Sequence, residues 1–288
     1  MTTIAVTGDL VTTTVLALAA GWPSSDAPDP VTHVGRDDIV VVECDPTGGS
    51  LAAWLDMPAT PSISTVVTAL HQATATSDRQ RWSVVEHRIR LSPAGPRVLP
   101  APFRAREARS AVSEAGRELL PLLAGVGHTT ALLDLGRLDV MSTPPALLQS
   151  ELTVVVHRQE PASARAAAAR LERLAEAIDH LATTTRRAAL VVVGDEPFAV
   201  EEIVAFAAPD LAHWSLPFDP LAAAVLAGRH GVSARRLARQ PLLRAAADVS
   251  ADLASTIGAS AIGPAGAAPT PHPSQRSITS TELDGART

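Results

Sequence analysis

Lysine, asparagine and tyrosine are absent from the 288 residues, so all 24 basic side chains are arginines. The lysine gap removes a whole chemistry: no lysine can hold a phosphate, form a Schiff base or act as a general base. Lysine and asparagine codons are AT-rich, and their joint loss points to a GC-rich genome of the actinobacterial kind. A single cysteine, Cys44, excludes an intramolecular disulfide and any multi-cysteine zinc site, and a reducing, cytoplasmic location is expected. The N-terminus lacks the basic segment of a signal peptide, and its apolar stretch Val15–Ala20 is too short to span a bilayer, so no integral membrane segment is expected. A formal charge of -6 excludes wholesale coating of nucleic acid but leaves a local basic face open. The nine histidines form no HExxH or paired metal spacing. No G-x-S-x-G elbow exists, and Gly48-Gly49-Ser50 reads as a turn.

What is present is apolar residue, 46% of the chain, ample for one large α/β core. Short β-branched runs alternate with longer alanine-rich amphipathic runs, the pattern of βαβ units around a mainly parallel sheet. Strands are expected at 3–6, 38–43, 84–91, 97–99, 129–134, 152–157, 188–193 and 211–215, with 84–91 and 97–99 forming an edge hairpin. This reading puts His87 and His157 within strands and Cys44 at a buried strand end. Helices are expected at 13–20, 64–72, 105–123, 162–181, 200–207, 220–227 and 242–257. In the fourth, Ala164, Ala168, Leu171, Ala175 and Ile178 share the face turned to the sheet. From Gly258 onward Ala, Gly, Pro, Ser and Thr dominate, which predicts a folded domain over 1–257 and a disordered tail over 258–288.

Three stretches in order resemble the MinD/ParA group of P-loop ATPases. IAVTGDLVTTTVLALA (Ile4–Ala19) is similar to the deviant Walker A strand, turn and helix, whose usual form is KGGxGKTT. VVVECDPTGGSLAAWL (Val40–Leu55) resembles the strand end with an acidic-x-Asp pair before Pro and Gly. TTALLDLGRLD (Thr129–Asp139) resembles the Walker B strand with its terminal Asp and the glycine that follows. ELTVVVHRQEPASARAA (Glu151–Ala167) and LPFDPLAAAVLAG (Leu216–Gly228) extend the match, so it spans 1–257.

The resemblance implies a Rossmann-like three-layer P-loop NTPase fold, with ATP and Mg²⁺ as ligands. It implies Gly8, Thr12, Thr13, Thr14, Pro217 and Asp219 around the nucleotide, and Thr13 and Asp134 toward the metal. Asp45 would be the water-positioning carboxylate, with Glu43 as its partner and Asp134 as the Walker B group. Departures accompany it. With Thr12-Thr13-Thr14 aligned on Lys-Thr-Thr, Thr7 stands in place of the signature lysine and Thr12 in place of the P-loop lysine, while Asp9 and Val11 replace glycines in a loop about three residues short. Arg36 or Arg137 are the cations that could compensate. A structural role stands beside each functional one: the threonines as an N-cap cluster, the carboxylates as caps or turn formers.

The expected function is that of a MinD/ParA-like protein with a vestigial site, non-catalytic or weakly nucleotide-binding. It would act through a protein partner as a positioning or assembly factor in a pilus, conjugation, secretion or partition system. Two alternatives stay open: an active partition-type ATPase and a ligand-free scaffold. The densest basic cluster, Arg235, Arg236, Arg239 and Arg244, is either a DNA- or partner-contacting face or a solvated helix surface. With Thr7 unable to reach across, no ATP-driven sandwich homodimer is expected.

Overall fold

A computed structural model describes residues 2–23, 39–74, 77–91, 96–125, 130–137, 144–160, 163–229 and 239–260. The strands are β1 (Thr2–Gly8), β2 (Ile39–Glu43), β3 (Arg90–Leu91), β4 (Arg97–Leu99), β5 (Thr130–Asp134), β6 (Leu152–Arg158), β7 (Ala188–Val193) and β8 (Ala212–Leu216). The helices are α1 (Val11–Ala20), α2 (Leu51–Trp54), α3 (Ile63–Gln72), α4 (Asp78–Glu86), α5 (Ala105–Gly125), α6 (Pro145–Gln149), α7 (Ala164–Thr184), α8 (Val200–Ala207), α9 (Pro220–Leu226) and α10 (Pro241–Ser260).

The strands form one eight-stranded sheet in the order β3-β4-β2-β5-β1-β6-β7-β8, parallel throughout except for the β3–β4 pair at one edge. Alternation along the central strands sorts the core into two layers. Ala5, Val40, Val42, Leu133, Val155 and Leu190 face α3, α5, α7 and α8. Ile4, Val6, Val41, Leu132, Val154 and Val191 face α1, α9 and α10. This is the three-layer α/β architecture expected, edge hairpin included.

Two assignments differ. The first part of the strand expected over 84–91 belongs instead to helix α4, which starts at Asp78: Ser77 and Gln80 form a reciprocal capping box, with Gln80 N–H donating to the Ser77 hydroxyl at 3.4 Å and Ser77 N–H donating to Gln80 Oε1 at 3.2 Å. His87 is therefore the C-cap of that helix, and the strand shrinks to Arg90–Leu91. In α7 the buried face runs through Ala167, Leu171, Leu174, Ile178 and Leu181, while Ala168 is exposed. The short helices α2 and α6 carry too few turns to show a period in sequence. Helix α10 continues to Ser260; the segment read as a tail lies, beyond that point, outside the described residues. Among the described residues no helix is long and apolar enough to cross a membrane.

Candidate functional site

In an open parallel sheet, ligands bind beyond the carboxyl ends of the strands. Here that edge gathers the ends of β1, β2, β5 and β6. Between β1 and α1 lie only Asp9 and Leu10. Gly8 takes φ +121, and a Cβ there would stand 2.2 Å from the Val156 carbonyl oxygen, so only glycine fits. Leu10, the N-cap of α1, is left-handed at φ 51 and offers no side-chain cap.

The N–H groups of Gly8 and Asp9 are spent on the sheet, whereas those of Leu10, Val11, Thr12 and Thr13 have no acceptor among the described residues. Gly8 N–H donates to Gly136 O at 3.1 Å and Asp9 N–H to Val156 O at 2.8 Å. The exposed Asp9 carboxylate accepts the Arg158 N–H at 3.3 Å. Thr7 is buried, its hydroxyl donating to Gly136 O at 3.0 Å, so it is turned into the core rather than outward. Thr12 donates to Asp134 Oδ2 at 2.7 Å, while Gly136 N–H donates to Asp134 Oδ1 at 3.0 Å. The hydroxyl beside Asp134 is thus that of Thr12, where the sequence alignment pointed to Thr13. Thr13 lines the cleft described below, and Thr14 is buried.

The carboxylates read as fasteners. Glu43, 1% exposed, accepts N–H bonds from Ser50 at 2.7 Å, Leu51 at 2.9 Å and Ala101 at 2.9 Å, tying β2 to the start of α2 and to the segment after β4. Burial outweighs those three bonds and pushes its pKa up to about 7. Burial likewise raises Asp134 to about 6, against the Thr12 and Gly136 hydrogen bonds. Asp45 Oδ1 accepts both the N–H and the hydroxyl of Thr47 at 2.7 Å, an Asx turn. Asp45 Oδ2 packs on Gly136, where a Cβ would stand 2.2 Å away. Cys44, fully buried between Glu43 and Asp45, has its thiol pushed well above the ordinary range by burial.

A cleft of about 790 Å³ opens beside this edge, running from Ser50 and Trp54 past the turn to α7. Its α7 side carries a network that no sequence motif announced. Glu160 pairs with Arg158 at 3.0 Å and also with Arg170, and the Arg158 guanidinium lies 4.4 Å from the centre of the Phe218 ring. The paired guanidinium of Arg170 holds the Glu160 carboxyl below its usual range. His157 lies in β6 as expected, facing the cleft, with burial lowering its pKa. Arg137 also lines the cleft. Pro217 and Asp219 do not: Asp219 caps α9, accepting the Ala222 N–H at 2.9 Å. Arg36, Arg235 and Arg236 lie outside the described residues, while Arg239 and Arg244 are exposed. Among the described residues no group of three or more His, Cys, Asp or Glu could hold a metal ion.

The arrangement fits a magnesium nucleotide poorly. A phosphate cradle needs successive N–H groups pointing at the anion and a cation beside them. Here the N–H groups at the start of α1 are open among the described residues, but no lysine stands beside them, the Asp9 carboxylate projects from the turn, and both oxygens of Asp134 are engaged.

No protein-family model matches the sequence, and no curated protein matches it. Solved structures do. The ParA family ATPase from Chlorobium tepidum TLS is similar with a TM-score of 0.61 at 13% identity, over 88% of this chain and 98% of that one. The septum site-determining protein MinD of Pyrococcus horikoshii OT3, in complex with Mg-ADP, gives 0.60 at 15% identity, over 90% and 98%. Cobyrinic acid a,c-diamide synthase of Mycobacterium smegmatis, with a bound ATP analog and magnesium, gives 0.55 at 16% identity, over 90% and 96%. At these identities the likeness establishes the fold: a mostly parallel α/β sheet of the MinD/ParA P-loop NTPase type.

Proposed function

We propose that this chain is a MinD/ParA-like protein whose nucleotide site has become structural, and that it works as a positioning or assembly factor through protein contacts. A pilus, conjugation, secretion or partition system in the cytoplasm is the setting this reading favours. The observation that carries it is the β1–α1 turn. P-loop catalysis rests on a backbone cradle, a lysine charge and a metal-bound hydroxyl. The sequence has no lysine, the N–H groups of Gly8 and Asp9 go to Gly136 and Val156, the Asp9 carboxylate projects from the turn, and the Thr12 hydroxyl goes to Asp134. Each lost charge-assisted contact costs about 1.5–3 kcal/mol, so two together weaken binding by roughly two to four powers of ten. In this reading Asp45, Glu43 and Asp134 are kept as turn former, cap and Thr12 anchor, not as catalytic groups.

The test is titration with a fluorescent ATP analogue, with and without Mg²⁺, together with phosphate release measured against Asp45→Ala. Background turnover and weak, Mg²⁺-independent binding are expected. A clear rate that disappears in Asp45→Ala overturns the reading. It would favour an active partition-type ATPase in which Arg137, in the cleft beside α1, replaces a lost lysine. Arg239 and Arg244, with Arg235 and Arg236, are the residues through which such an ATPase would meet DNA. Loss of partner binding without any ligand effect would leave a plain scaffold.

A further inference from the structure

The cleft that no longer fits a nucleotide keeps a pattern of charge of its own. Four arginines line it, Arg137, Arg158, Arg170 and Arg173, against three acids, Asp9, Glu160 and Glu176. That is a basic excess in a chain whose formal charge is -6. Two of the four are spent internally, since Glu160 binds both Arg158 and Arg170. Arg137 and Arg173 are exposed and, among the described residues, pair with no carboxylate. They come from different elements, Arg137 from the segment leaving β5 and Arg173 from the body of α7. The Asp9 carboxylate, in the turn that leads into α1, lines the same cleft. Carboxylates spaced along an extended chain can meet both guanidiniums bidentately. The half-buried Trp54 forms an apolar wall at the far end of the same cleft.

We propose that this cleft docks an acidic, extended segment of a protein partner, with Arg137 and Arg173 as its two carboxylate-binding residues. This rests on the reading of the site as non-catalytic and names the chemistry of the partner. The occupant is a peptide strand bearing Asp or Glu; charge complementarity to two guanidiniums on separate elements, unpaired among the described residues, selects it.

The experiment uses the full chain and a fluorescein-labelled peptide of alternating glutamate and alanine, followed by anisotropy, with a lysine–alanine peptide as the control of opposite charge. Two variants carry the same charge change: Arg137→Glu with Arg173→Glu in the cleft, and Arg106→Glu with Arg109→Glu on the exposed side of α5. The glutamate peptide is expected to bind saturably, about tenfold or more weaker in the cleft variant and within about threefold of the parent in the α5 variant. Arg137→Gln with Arg173→Gln, which adds no negative charge, should weaken binding as well, and circular dichroism checks that each variant is folded. Equal loss in both glutamate variants, equal binding of the lysine peptide, or no saturable binding overturns the proposal. The Mg²⁺-ATP titration is run on the same samples. Tight nucleotide binding with no peptide binding overturns the functional reading as well, whereas absence of both overturns the docking proposal alone.

Discussion

Replacing Glu43 by Gln decides which of two opposed effects governs the buried edge of the sheet. Three N–H bonds favour the ionised carboxylate, and near-complete burial disfavours it. Burial wins, moving the pKa from 4.5 to about 7. Between those values the folded chain holds a proton that the unfolded chain has released, so rising pH favours unfolding. The contribution is fully present below about pH 4.5 and is lost as pH climbs through about 7, amounting to at most about 3 kcal/mol. Asp134, raised to about 6, acts in the same direction and on its own account. Glutamine keeps the acceptor for Ser50 and Leu51, turns an NH2 donor toward the Ala101 N–H where even protonated Glu43 keeps an acceptor lone pair, and cannot ionise. Glu43→Gln should therefore cost about 1–3 kcal/mol near pH 5 and gain on the parent as pH rises to 8. The gain is bounded by about 3 kcal/mol, or roughly 10 °C in Tm for a domain of this size. Urea unfolding of both proteins across that range measures the difference directly. If the stability difference between the two proteins stays constant from pH 5 to 8, Glu43 is ionised throughout that range, the three N–H bonds match or outweigh burial, and the reasoning fails.

The tight approach of β1 to β6 predicts that Gly8→Ala, whose Cβ would stand 2.2 Å from Val156 O at φ +121, costs more than about 2 kcal/mol in urea unfolding; a near-neutral result would mean the turn relaxes freely. Light scattering should give one mass with and without Mg²⁺-ATP, and an ATP-dependent dimer would refute the expectation that no ATP-driven sandwich homodimer forms. Asp9→Gly, Val11→Gly and Thr12→Lys together should still fail to bind ATP tightly, because the turn stays too short and Asp134 loses its Thr12 bond; tight binding by this variant would show that residue identity, not loop length, closed the site. Truncation after Ser260 should shift Tm by no more than about 2 °C, since the removed residues are dominated by Ala, Gly, Pro, Ser and Thr and poor in large apolar side chains; a drop of many degrees would mean the removed segment docks.

The fold was legible because its signals are local and repeated. Burial on both faces needs near-continuous apolar runs such as 39–43, 152–158 and 188–193, and amphipathic helices such as α5 carry their period on their face, so the order of layers follows from the sequence alone. Helix α4 was missed because Trp82, Val84, Val85 and Ile89 give an apolar density that a strand also has; the Ser77–Gln80 box decided for helix. The absence of lysine is likewise plain in the sequence. What tertiary structure alone decided is which group meets which. That Thr12 rather than Thr13 holds Asp134, that Thr7 turns inward to Gly136, and that Glu43 fastens three backbone N–H groups depend on how β1, β2 and β5 lie side by side. Arg158, Glu160 and Arg170 become a network, and Arg137 and Arg173 share a cleft, only once α7 packs across the sheet. Residue spacing encodes the elements because periodicity is a property of one segment, whereas a site is a relation between segments distant in the chain and is created by their packing.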